Sequence, residues 1–256
     1  MYTPLEQFKI NSIFRIYNNY IDFTITNSTI YMLIGIIGII LMIYGTGKGG
    51  NKIISNSNIK TFFEILYIKT EDIIKDILGK SYNRYIPLIY SIFLFILINN
   101  VIGLIPYSFT TTSHIIVTLT MSLTIMIGLT LLGLYKHSYK FFTLFIPNGL
   151  NKGFTKYLIP LIFLIELISY LSRIISLSVR LAANLMSGHT LLKIIANTSI
   201  TALTSIKSYF LSTIILLLPI FLLCALFILE TGVSIIQAYV FTLLTLTYIK
   251  DVELLH

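Results

Sequence analysis

The 256 residues predict an all-α membrane protein, on three observations. Only 11% are charged, where a soluble domain carries about 25%. Hydrophobic residues make up 56%, and several apolar runs exceed the roughly 18 residues that mark a spanning helix. The net charge of +8 lies mostly on lysines between these runs, so it reports topology. No basic patch interleaved with aromatics appears, which argues against a nucleic-acid partner. The single cysteine, Cys224, sits within an apolar run. That excludes a disulfide framework and a cysteine-rich metal site, and it reads as a buried, inert thiol.

The N-terminus, MYTPLEQFKINSIFRIYNNYIDF, is expected to be neither a secretory signal nor an Arg/Ser-rich transit peptide. Glu6 and Asp22 interrupt it, and no short apolar core follows Met1. There is no tryptophan, while Ile, Asn, Lys and Tyr abound, a bias that suggests AT-rich coding such as a small organellar genome. The first apolar run, 30–44, is short for a span and borrows from its flanks. It ends at GTGKGGNK, which lacks the glycine and the Ser/Thr of a phosphate-binding loop and reads as a polar exit from the membrane. Residues 59–79 place Ile59, Phe62, Phe63, Leu66, Ile73, Ile74, Ile77 and Leu78 mainly on one helical face with Lys, Glu and Asp opposite. That is an amphipathic surface helix rather than a span.

Two spans follow. One is 86–105, which carries Asn99 and Asn100 near its end and stops at Pro106; the other is 114–135, closing at YKHSYK. Residues 157–197 and 208–249 are each helix-like over roughly 60 Å at ~1.5 Å per residue, about twice the hydrocarbon thickness. Each is either a pair of short spans turning at MSGHT or ETGVS, or one long slanted helix. Lysines concentrate in 48–84 and 136–156, so the positive-inside rule puts both on the inner side, the N-terminus outside and the C-terminus inside.

Ionisable groups within apolar runs cost roughly 2.5–3.5 kcal/mol each on insertion scales and mark function by default. Glu166, Arg173 and Arg180 are spaced by sevens, so they drift only ~20° per step around a helix. Asn184 joins that face and His189 falls opposite it. Glu230, Gln237 and Asp251 repeat the device in the second long run. In an antiparallel pairing, setting Arg180 opposite Gln237 also sets Glu166 opposite Asp251 and brings His189 near Glu230. Two proton-capable clusters separated by a guanidinium read as two half-pathways with a barrier, because Arg keeps its charge while carboxylates and imidazole exchange protons. Arg173 and Asn100 are secondary candidates, with structural pairing and helix packing as the plainer reading of Arg173, Asn184 and Gln237. Asn99 lines water or packs.

The stretch ISLSVRLAANLMSGHTLL resembles the arginine helix of subunit a of F-type ATP synthases, whose mitochondrial form is R-L-x-x-N-x-x-x-G-H. TPLEQFKI, NNVIGLIPYSFTTTSH, LETGVSIIQAYVFTLLT and YIKDVELLH match the pattern in order, over nearly the whole chain. The resemblance implies a single membrane domain, 1–256, whose last two long helices form a steeply tilted hairpin, 157–250, facing a ring of c-subunit proteolipids. It implies that Arg180 faces that ring and that Glu166, Asn184, His189, Glu230, Gln237 and Asp251 hold proton-translocating positions. Other implied partners are peripheral-stalk and further Fo membrane subunits, a second ATP synthase in a dimer, and lipid. The implied setting is the mitochondrial inner membrane, with no bond chemistry, cofactor or metal in this chain. Two departures stand out: NGLNKGFTKYLIP replaces a more apolar, proline-rich connection, and AAN replaces a small-residue pattern. The rival reading, a proton-coupled secondary transporter or ion channel, predicts internal repeats, and none is visible.

Overall fold

The computed structural model describes residues 4–18, 21–47, 58–79, 82–105, 108–139, 141, 159–205 and 209–254. The polar exit 48–57, most of the 136–156 loop and most of NGLNKGFTKYLIP lie outside them. Two strands, β1 (Ser12–Asn18) and β2 (Ile21–Thr26), pair antiparallel with an irregularity between Ser12 and Phe14. Helical periodicity carries no signal for such a hairpin; its Ile, Phe, Tyr and Thr content is the strand signal. Helix α1 (Asn27–Gly47) follows at once. Its start is a reciprocal cap: the Thr26 N–H donates to Thr29 Oγ1 at 3.0 Å, and the Thr29 N–H donates to Thr26 Oγ1 at 3.5 Å. The run 30–44 thus does extend into both flanks.

Helix α2 (Asn58–Leu78) ends where Gly79 takes a φ of +60°, the left-handed residue that commonly closes a helix. Ile74 and Leu78 are buried, and Phe63, Leu66, Ile73 and Ile77 half-buried, so the packed face is close to the one expected. Phe62 departs from it, at 56% exposure. Helix α3 (Tyr82–Gly103) begins four residues before the expected start and runs through Pro87. Helix α4 (Ile115–His137) follows a short 3-10 turn at Thr111–Ser113. Helices α5 (Ile159–Ser205) and α6 (Tyr209–Leu254) have 47 and 46 residues without interruption. Neither MSGHT nor ETGVS turns, and α6 continues through Pro219. Among the described residues four helices are long and apolar enough to cross a membrane: Asn83–Gly103, Ile115–His137, Pro160–Thr201 and Leu217–Glu253. The stretch Asn27–Leu41 is a shorter apolar helix, and α2 does not qualify.

The chain gathers into two compact units, each assembled from three stretches. The first comprises Met1–Leu41, Phe95–Ile115 and Leu181–Ala238; the second comprises Met42–Leu94, Ile116–Arg180 and Tyr239–His256. In the second, the buried face of α2 packs into a cluster with Ile86 and Ile89 of α3, Met126 of α4, Ile174 of α5 and Leu246 of α6. Lys136 closes this unit by reaching the Glu253 carboxylate at 3.1 Å. In the first, Ile96, Leu181, Ala182 and Ala238 are almost wholly buried. Small Ala182 and Ala238 leave the room that long polar side chains on the same helices require.

Candidate functional site

In the first unit α5 carries His189 and α6 carries Glu230, and both are held inward. His189 Nε2 stands 3.4 Å from Glu230 Oε1, with side-chain exposures of 15% and 5%. The contact lies within charge-pairing distance without the alignment of a hydrogen bond. Neither oxygen of Glu230 has a hydrogen-bond partner among the described residues. A buried carboxyl group without a hydrogen bond is costly to place, and such a cost marks a functional position. Imidazole and carboxyl can each hold one proton, so the pair can take up a proton and hand it on.

Three neighbours shape this pair. Gly188 lies against the carboxyl: a Cβ there would sit 2.8 Å from Glu230 Oε1 and 3.0 Å from its Cδ. One turn beyond Glu230 on α6, the Ser234 carbonyl accepts a 3.1 Å hydrogen bond from Asn100 Nδ2. Asn100 is fully buried, and its Oδ1 has no hydrogen-bond partner among the described residues. Next along, Asn184 Nδ2 donates to Gln237 Oε1 at 3.0 Å. Asn99 bonds locally, donating to the Phe95 carbonyl at 2.8 Å and accepting from Thr111 Oγ1 at 3.4 Å.

In the second unit Arg173 is the centre. Its guanidinium lies 3.7 Å from Glu166 and 3.5 Å from Asp251, and 5.3 Å from the centre of the Tyr248 ring. Side-chain exposures of 29% for Arg173, 39% for Glu166 and 46% for Asp251 keep these pairs weak. Arg180 is exposed, and its nearest polar contact is Ser176 Oγ on its own helix at 3.5 Å. Among the described residues Arg180 has no carboxylate within ion-pair distance.

The expected pairing of His189 with Glu230 thus corresponds to a direct contact. Gln237 meets Asn184, one turn beyond Arg180 on α5. Glu166 and Asp251, expected opposite each other, both lie within ion-pair distance of Arg173. Five residues of α5 separate the contacts at Asn184 and His189, against seven of α6 between Glu230 and Gln237. Side-chain reach and helix rotation decide the partners, since sevens drift on a 3.6-residue helix. Ser234 and Tyr248 escaped the sequence reading, their only signal being their position four after Glu230 and three before Asp251, and Gly188, read as part of the arginine-helix motif and as a possible turn, was not read as the seat of the Glu230 carboxyl. Cys224, expected to be buried, is exposed.

Gly188→Ala is expected to destabilise the protein by about 1–3 kcal/mol, the usual range for overpacking a fitted contact. A lowered midpoint of thermal unfolding reads this out. An unchanged midpoint would show that the Glu230 carboxyl swings clear of the added methyl.

Membrane-length helices that hold a buried carboxylate–imidazole pair and an exposed guanidinium define an integral membrane protein with ionisable groups inside its spans. Residues 28–250 match the family of ATP synthase A chains. Relatives named ATP synthase subunit a occur in Trichophyton rubrum, at 44% identity over 99% of this chain and 97% of the relative. The relative from Emericella nidulans is 43% identical over 97% and 95% of the two chains. That from Zancudomyces culisetae is 38% identical over the whole of both. The chain belongs to the ATP synthase A chain family.

Proposed function

We propose that this chain is the proton-translocating stator subunit of the Fo sector of a mitochondrial ATP synthase. The observation that carries the reading is Arg180, a permanent charge exposed on the apolar helix α5 with no acid beside it among the described residues. A charge so placed calls for a carboxylate from a partner. A ring of c-subunit proteolipids supplies one, and Arg180 lowers its pKa and forces its proton off. Protons enter from the intermembrane space past Glu230 and His189 and load a ring carboxylate. Rotation returns that carboxylate to Arg180, where the proton leaves toward the matrix past Glu166 and Asp251. Asn184 and Gln237 hold the two helices together on the ring-facing side. Arg173 keeps Glu166 and Asp251 together, and Asn100 supports α6 beside Glu230.

The chain acts as a single membrane domain in the mitochondrial inner membrane, with hairpin 157–250 against the ring. The lysine distribution supports an N-terminus toward the intermembrane space and a C-terminus toward the matrix. Peripheral-stalk and other Fo subunits, a second ATP synthase in a dimer, and lipid complete its surroundings. The chain makes and breaks no covalent bond with adenine nucleotide; that chemistry belongs to partner subunits. Gentle detergent extraction tests the assignment: a small proteolipid ring should co-purify with the chain. A stable solitary oligomer that binds solute would overturn the assignment in favour of a transporter.

A further inference from the structure

Strands β1 and β2 form a ribbon with one apolar and one polar face. Their register pairs Phe14 with Ile25, Arg15 with Thr24, Ile16 with Phe23 and Tyr17 with Asp22. Cross-strand partners share a face, and successive residues alternate. The positions of Phe14, Ile16, Phe23 and Ile25 therefore fall on one side, and those of Arg15, Tyr17, Asp22 and Thr24 on the other. Phe14 is 63% exposed, and Ile25 is exposed beside it. A two-stranded ribbon is marginal at best in water and needs its apolar face covered. At the base of the ribbon the chain passes from Thr26 into α1 at Asn27 without a linker. Asn27 donates from Nδ2 to the Lys9 carbonyl and accepts at Oδ1 from the Asn11 N–H, both at 3.2 Å. Together with the Thr26–Thr29 cap, these bonds tie the ribbon to the first turn of α1.

What surrounds the ribbon at that level follows from α1 itself. Leu33, Ile36, Ile37, Ile40 and Leu41 form an exposed apolar stripe at i, i+3, i+4, i+7 and i+8. The opposite face carries Gly35, where a Cβ would stand 2.6 Å from Asn99 Oδ1. Helix α1 thus packs on Asn99 of α3 through one face, and the stripe on its other face suits acyl chains. Tyr31, one turn into the helix, is of the type that gathers at the membrane–water boundary. The ribbon, tied one turn away, stands at the same boundary. We propose that it is an interfacial anchor: its Phe14–Ile25 face lies among the phospholipids of the leaflet in which α1 begins, and its Arg15–Thr24 face meets headgroups and water. An amphipathic element held in the interface plane in this way resists displacement in either direction. The anchor fixes the depth of α1, and the Gly35–Asn99 contact passes that depth to α3. The inference needs the membrane fold alone and is independent of how protons are handled.

Photolabelling tests this in the assembled complex. The purified complex is reconstituted into phosphatidylcholine vesicles containing a minor fraction of a phosphatidylcholine that bears a diazirine high on one acyl chain. After irradiation, lipid adducts on this chain are located by peptide mass spectrometry, with the α1 stripe as internal standard. Phe14 and Ile25 should carry adducts at a level comparable with the stripe, and above that at Arg15 and Thr24 by on the order of tenfold. Phe14→Asn should lower the adducts at Ile25 several-fold, whereas Arg15→Gln, on the other face, should leave them unchanged. Adducts on the α1 stripe, retained in both variants, show that the chain is still inserted. Absence of adducts at Phe14 and Ile25 beside a labelled stripe would overturn the proposal and give the apolar face to a protein partner. Equal labelling of the two faces, or an equal response to the two substitutions, would overturn it as well. Loss of the proton-path reading, read separately from ATP synthesis in Arg180 variants, would leave the labelling pattern unchanged.

Discussion

Arg180→Ala is expected to reduce proton-driven ATP synthesis in inner-membrane vesicles to below about a tenth of the parent rate, while the chain still inserts and assembles. The two halves of this outcome have the same cause. A guanidinium at the centre of an apolar helix costs roughly 2.5–3.5 kcal/mol to insert, and this one has a long hydrogen bond to Ser176 and no carboxylate among the described residues in return. Removing it should therefore leave insertion unharmed or improved. On the proposed function, what is lost is the fixed positive charge that would discharge an approaching carboxylate and block direct passage of protons. Arg180→Lys should fall between the two, because an ammonium in an apolar setting can give up its proton and the guanidinium does not. Assembled complex with a normal rate of synthesis in the alanine variant would sink the proposed function.

The second large effect is expected at Glu230. Glu230→Gln keeps the size of the side chain and its place beside His189 but removes the exchangeable proton. Proton flux through the membrane sector should fall by roughly tenfold or more, the scale on which loss of a proton-transfer group is ordinarily felt. Thermal stability should hold or rise, because the carboxyl it replaces is 5% exposed and neither of its oxygens is hydrogen-bonded among the described residues. Glu230→Asp, which keeps a titratable group but withdraws it from His189, should retain part of the flux. Flux that stays at the parent level across a wide pH range in the glutamine variant would remove Glu230 from the path. Paired with Gly188→Ala, the comparison separates two effects at one place: the alanine displaces the carboxyl, and the glutamine disarms it.

Much of the architecture was legible because a bilayer demands apolar runs of fixed length and punishes charge within them. The expected spans 86–105 and 114–135 correspond to α3 and α4 with only modest shifts at their ends. The amphipathic stretch 59–79 became α2, since one-sided burial has a clear 3.6-residue signature. The strand pair β1–β2 was missed because residues 12–26 mix polar and apolar types without a helical period. Length alone left the two C-terminal runs undecided between paired short spans and single long helices. Glycines at 188 and 232 looked like turn signals, but inside an apolar helix a glycine continues the backbone ladder readily.

The sequence by itself determined which residues are anomalous: Glu166, Arg173, Arg180, His189, Glu230 and Asp251, each a charged or titratable group placed in or at the end of an apolar run. Solvation physics makes that visible without coordinates, because every such group carries a cost. Only the tertiary structure decided who meets whom. Arg173 joins Glu166 and Asp251; Asn184 takes Gln237; and Arg180 has no acid beside it among the described residues. Heptad spacing specifies a stripe on one helix, but partners depend on the rotation and offset between two helices and on the reach of long side chains. Those quantities are properties of packing, and no single-helix pattern contains them.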